Sequence, residues 1–142
     1  MIQEFVNRFM AAKPTLQEAF SKAVPESYKD IVTSVVRVLA VDEAGEDYGQ
    51  PDPSKIHVID DGDYQGTQLF VIAENSYQPD KYWTVFVRYG SCSGCDTLER
   101  LRDDDYRRYD DEDKDRPVKP EVVEQLMTMA LHVVQEMKEI EA

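Results

Sequence analysis

The apolar residues of this chain change their spacing along its length, and that change limits the folds open to it. Over residues 2–11, Ile2, Phe5, Val6, Phe9 and Met10 recur at helical spacing, which predicts one amphipathic helix. Thr15 followed by Glu18 has the spacing of a capping box, and Leu16, Phe20 and Ala23 carry an apolar face to Pro25, which predicts a second. Tyr28, Ile31, Val32, Val35, Val36 and Leu39 predict a third, from about Ser27 to Leu39. Its many β-branched residues keep a strand over residues 31–39 as an alternative.

From residue 55 the period falls to two. Residues 55–59, 67–73 and 81–89 read as three strands separated by loops rich in Gly, Asn and Asp, so an antiparallel meander is expected. In the third strand Trp83, Val85, Val87 and Tyr89 share one face, and Tyr82, Thr84, Phe86 and Arg88 share the other. Helical spacing then returns. Asp96 and Glu99 open a short helix to about Tyr106, and Pro120 opens a long one. The long helix carries Val122, Val123, Leu126, Met127, Ala130, Val133, Val134, Met137 and Ile140 on its apolar side. Met127, Met129 and Met137 read as core packing rather than as a cofactor box.

The expected fold is therefore α+β: a small three-stranded antiparallel meander, packed on one face by N-terminal helices and a long C-terminal helix. At 142 residues the chain fits a single domain. Its parts are a helical region 1–41, an acidic loop 42–54 expected to be mobile, a sheet 55–90, and a Cys-x-x-Cys corner with helices over 91–142. There is no apolar run of the ~18 residues a membrane span needs, and the N-terminal residues do not have the pattern of a signal peptide. Two cysteines in such a chain point to a reducing, cytoplasmic location.

The net charge is −13, and its position matters more than its size. Residues 41–80 hold ten acids against Lys55 alone, a net −9. The conspicuous run from Arg102 to Asp113 mixes both signs and largely compensates itself. A one-sided acidic field repels phosphate backbones and disfavours direct nucleic-acid binding, while it attracts a basic protein surface.

Both cysteines lie in Ser91-Cys92-Ser93-Gly94-Cys95-Asp96, between the third strand and a helix start. Three readings are open. A redox dithiol would gain from the helix dipole, but Asp96 and the other nearby acids raise a thiolate pKa and oppose it. A zinc site would use Cys92 and Cys95, with His57 approaching from the first strand, His132 on the C-terminal helix, or a second pair from a dimer to complete the four ligands. A structural corner, with small buried thiols at a tight turn, needs no ligand at all. His132 on the C-terminal helix reads as a partly buried, satisfied histidine. Asp60-Asp61-Gly62-Asp63 lacks the terminal glutamate of a calcium loop.

The meander has a geometric consequence. Its first and third strands run the same way, so the loop after residue 59 and the segment after residue 89 fall at one end of the sheet. That would bring Asp60, Asp61, Asp63, Tyr64 and Gln65 toward Ser91, Cys92, Ser93, Cys95 and Asp96 as one acidic-rimmed corner able to bind a ligand or partner. No catalytic constellation is legible, so an interaction protein is favoured over an enzyme.

Gly62-Asp63-Tyr64-Gln65-Gly66-Thr67 with Leu69-Phe70-Val71-Ile72, then Tyr77-Gln78-Pro79, Tyr82-Trp83 and Tyr89-Gly90-Ser91-Cys92-Ser93-Gly94-Cys95-Asp96-Thr97-Leu98, resembles a family of small phage- and prophage-encoded proteins of unassigned function. The resemblance covers roughly residues 52–102. It implies a phage accessory protein that acts in an infected bacterium. Together with the one-sided acidity of residues 41–80 and the lack of a catalytic constellation, it leads to the expectation of a protein that binds a host or defence protein. It supplies no catalytic residue.

Overall fold

In the computed structural model, residues 2–61, 66–89, 98, 101 and 117–141 are described. They form three helices, α1 (Ile2–Lys22), α2 (Tyr28–Leu39) and α3 (Pro120–Glu136), and four strands, β1 (Pro51–Asp61), β2 (Gly66–Glu74), β3 (Lys81–Tyr89) and β4 (Lys138–Glu141). The strands form one sheet in the order β1-β2-β3-β4, with every neighbouring pair antiparallel. The α+β meander is as expected, and it is one strand wider.

That fourth strand corrects the reading of the C-terminus. The apolar spacing from Val122 through Met137 to Ile140 suits one continuous helix, but α3 stops at Glu136. Met137 turns to an extended backbone (φ −64°, ψ 132°), and residues 138–141 pair with residues 81–84 of β3. In Lys138-Glu139-Ile140-Glu141 a single apolar residue among charges gives a helix little to bury. The edge of β3 offers those backbone groups hydrogen bonds instead. Ile140 is accordingly exposed on the sheet, not packed under a helix.

The N-terminus also differs from expectation. One helix runs from Ile2 to Lys22 with Pro14 inside it, where two had been expected. Proline forfeits one helical hydrogen bond, here to the carbonyl of Met10, a residue that is exposed to water. Phe5, Phe9, Leu16 and Phe20 are all buried along the same helix, so a single apolar stripe crosses the proline and holds both halves together. Ala23 lies beyond the helix and is exposed, and Val24 is buried instead.

In α2 the helical reading prevails over the strand. Ile31, Val32, Val35, Val36 and Leu39 are buried at helical spacing. Ser27 caps the start by accepting the Asp30 N–H at 3.3 Å, and Asp30 accepts the Glu26 N–H at 3.2 Å. The Ser27 bond satisfies a donor that the first turn leaves unpaired, and the Asp30 bond fixes the chain just before the cap.

Strand β1 begins at Pro51, four residues earlier than expected, with a register irregularity between Pro51 and Ile56. Its two prolines are tolerable because β1 is an edge strand. The helices cover one face of the sheet. Phe70, Ile72, Trp83 and Val85 point into that core and meet residues of all three helices, with Leu98 and Leu101 buried in the same cluster. The short helix expected over residues 96–106 and the charged stretch to Arg116 otherwise lie outside the described residues.

Candidate functional site: two joined acidic loops

The segment between α2 and β1, expected to be mobile, is held by a dense set of hydrogen bonds. Asp42 closes a tight turn: its N–H donates to the Glu46 carbonyl at 2.8 Å, and its Oδ1 accepts the Ala44 and Glu46 N–H groups at 2.9 Å each. Gly45 and Gly49 have φ of +86° and +79°, a region that L side chains seldom occupy. Both turns therefore depend on glycine at these positions.

Arg8 fixes this loop to the core. It is buried on α1, where its Nη1 donates to the Leu39 carbonyl at 3.0 Å and to Gln50 Oε1 at 2.7 Å. Its Nε meets Glu43 Oε1 at 3.3 Å, and its guanidinium carbon lies 5.3 Å from the centre of the Phe5 ring. Phe5 in turn packs on Trp83 of β3, ring centres 5.9 Å apart. A buried arginine must be hydrogen-bonded and paired to be tolerated, and here that requirement orders the loop. The Glu43 carboxyl is held below the usual carboxylate range, by a backbone hydrogen bond first and by Arg8 second.

A second loop joins the first. Residues 75–80 link β2 to β3, and Gly49 N–H donates to Asn75 O while Asn75 N–H donates to Gln50 O, both at 2.7 Å. Glu74, nearly buried, accepts the Asp80 N–H at 2.8 Å and the Ser76 hydroxyl at 3.3 Å, closing the loop on itself. Lys55 donates to the Ser76 carbonyl at 3.2 Å and lies 3.9 Å from Asp52. Two tyrosines stand out from this cross-linked base, Tyr77 at 94% and Tyr48 at 70% exposure. Glu46, Asp47 and Asp80 are exposed around them. The result is a preorganised acidic surface with two projecting aromatic side chains at one end of the sheet.

The strand ends from which the expected corner would start lie at the opposite end of the sheet. Strands β1 and β3 do run the same way, and their last residues are brought level through β2: Asp61 faces Thr67, Thr67 faces Arg88, and Gly66 faces Tyr89. Asp60 is exposed and accepts the Gln68 side-chain amide at 3.0 Å. Asp61 ends β1. Asp63, Tyr64 and Gln65, and likewise Ser91, Cys92, Ser93, Cys95 and Asp96, lie outside the described residues. His57, the third residue of the zinc reading, is exposed on the uncovered face of the sheet opposite Val71. Among the described residues no three His, Cys, Asp or Glu side chains are grouped to hold a metal ion. His132, expected to be partly buried, is exposed on α3. Among the described residues no helix is long and apolar enough to cross a membrane.

The chain matches no protein-family model, no curated protein and no solved structure.

Two features of the site were not anticipated from the sequence. Arg8 sits three residues after Phe5 on the buried stripe of α1, and a cation at such a position signals a buried partner. Tyr48, inside an acidic Gly/Pro-rich loop, was the residue least suited to a merely solvated segment.

Proposed function

We propose that this chain is an acidic accessory protein, encoded by a bacteriophage, that binds and modulates a host or defence protein through a basic surface on that partner. The observation that carries the reading is the joined pair of loops, 42–50 and 75–80. It presents exposed carboxylates and two exposed tyrosines on a base already ordered by hydrogen bonds. Ordered loops lose little conformational entropy on binding, and tyrosine is among the residues that concentrate binding energy at interfaces. The phage resemblance of residues 52–102 supports the cellular setting, and the net −9 of residues 41–80 supports the sign of the partner.

The test is capture of a partner from bacterial lysate at low and at high salt, repeated with Glu46→Lys/Asp47→Lys and with Tyr77→Ala. The expected partner is basic, is released by salt, is lost on charge reversal, and is weakened by at least about tenfold without the Tyr77 ring. Charge reversal at Asp60, Asp61 and Asp63 separates this end of the sheet from the other. A partner that keeps its affinity in the Glu46/Asp47 variant overturns the electrostatic reading.

A further inference from the structure

Away from the two loops, α2, β3 and α3 line an open cleft of about 250 Å³. Its walls are the buried side chains of Ile31 and Val32 from α2, Val85 from β3 and Val133 from α3, and Tyr28, His132 and Glu136 also line it. We infer that this cleft binds a small organic cation, an ammonium group carried on a compact apolar body.

The charge follows from α3. Glu136 is the last residue of that helix, and the last turn contains no basic residue. Carbonyls at a helix C-terminus carry partial negative charge, so that position ordinarily favours Lys, Arg or His over an acid. Here a carboxylate stands where the helix field already opposes it. Glu136 and His132, one turn apart and both exposed, have no ion pair or side-chain hydrogen bond among the described residues. The Glu136 carboxylate thus lines the cleft near the negative end of α3, and among the described residues no protein cation pairs with it. An anionic ligand would be repelled by that carboxylate, whereas an ammonium group would pair with it.

The body of the ligand follows from the walls and the volume. Four aliphatic side chains offer no hydrogen bonds, so the buried part must be apolar. At about 30 Å³ per water, the cleft equals roughly eight waters, which suits a ligand of about eight to ten non-hydrogen atoms rather than a drug-sized one.

Phenethylammonium and its neutral counterpart 2-phenylethanol are suitable probes, titrated into the full chain at fixed ionic strength while methyl resonances are followed by NMR. The ammonium compound should give saturable shifts at Ile31, Val32, Val85 and Val133, and should bind about fivefold tighter than the alcohol, the range of a partly exposed charge pair. Glu136→Gln keeps the shape of an exposed side chain and should abolish that preference while leaving alcohol binding unchanged. Equal affinity for both probes, shifts that map elsewhere, absence of saturable shifts, or a preference that survives Glu136→Gln would each overturn the inference. None of these outcomes bears on the two-loop surface, whose test uses different residues and a different partner.

Discussion

On β3, Val85 is 1% exposed and its neighbour Phe86 is 61% exposed, and the contrast continues across the sheet. One face sends Phe70, Ile72 and Trp83 into the helices. The other carries a row of apolar residues, Ile59, Leu69 and Phe86, placed side by side by the strand register. A second row follows, Ala73, Tyr82 and Ile140. These two rows are apolar in composition, yet the two faces are not equivalent in energy. Strand spacings of ~4.8 Å and ~3.4 Å per residue put the outer apolar area at roughly 300 Å², within what single proteins commonly expose. The bare face therefore requires no partner, and stability is concentrated on the covered one.

The sharpest way to break that comparison is to truncate an aromatic ring on each face. Phe70→Ala leaves a cavity in a packed core and should cost about 3–5 kcal/mol. Phe86→Ala removes one cross-strand neighbour of Leu69 and should cost less than about 1 kcal/mol. Urea unfolding of the two variants measures both. Equal losses would mean that something covers the outer face in solution.

Next in size is Arg8, which links the covered face to the acidic loop through Phe5 and Trp83. Arg8→Met keeps most of the packing but leaves the Leu39 carbonyl and Gln50 without their donor, for a loss of about 2–3 kcal/mol. Amide exchange at Gly49 and Asn75 should accelerate by more than that of the α2 core. Unchanged exchange at those two amides would show that the loop is ordered without the arginine.

Much of this architecture was legible from residue spacing alone, and the places where it was not share a cause. The buried stripe of α2 and the alternation along β3 come from residues whose own hydrophobicity decides their placement. The continuity of α1 through Pro14 does not, because the local signal of proline is outweighed by burial of Leu16 and Phe20 on the far side. The switch of residues 138–141 from helix to strand depends on a free edge of β3, a partner 54 or more positions away in sequence, which no local pattern reports. The acidic loop was read from its composition, which gives its charge but not the hydrogen bonds that Arg8, Asn75 and two positive-φ glycines impose. Alternating strand direction was legible too, so β1 and β3 end together as expected, while the segment around Cys92 and Cys95 lies outside the described residues.

A smaller effect separates the two loops from each other. Loop 75–80 is closed by Glu74, whose carboxylate accepts from Asp80 and Ser76. Glu74→Ala leaves the Asp80 N–H without that acceptor and should cost about 1–2 kcal/mol. Exchange should quicken at Asp80 while the turn at Asp42, which has its own hydrogen bonds, keeps its protection. If both loops loosen together, they form one unit rather than two joined ones.

The smallest expected effect is a pH dependence, and it tests whether Glu43 contributes to the anchor or merely accompanies it. A carboxyl whose pKa is lowered on folding stabilises the folded state above its ordinary pKa, and that contribution disappears as pH falls through the lowered value. Glu43 is such a group, and its side chain is largely exposed, so solvent screens the pair and the effect is slight. Glu43→Gln should flatten the acid limb of the stability curve slightly and leave the neutral region almost unchanged. Arg8→Met should lower stability at every pH, because its bonds to Leu39 and Gln50 do not titrate. If Glu43→Gln instead costs as much at neutral pH as Arg8→Met does, the loop is held by the ion pair and not by the arginine's neutral hydrogen bonds.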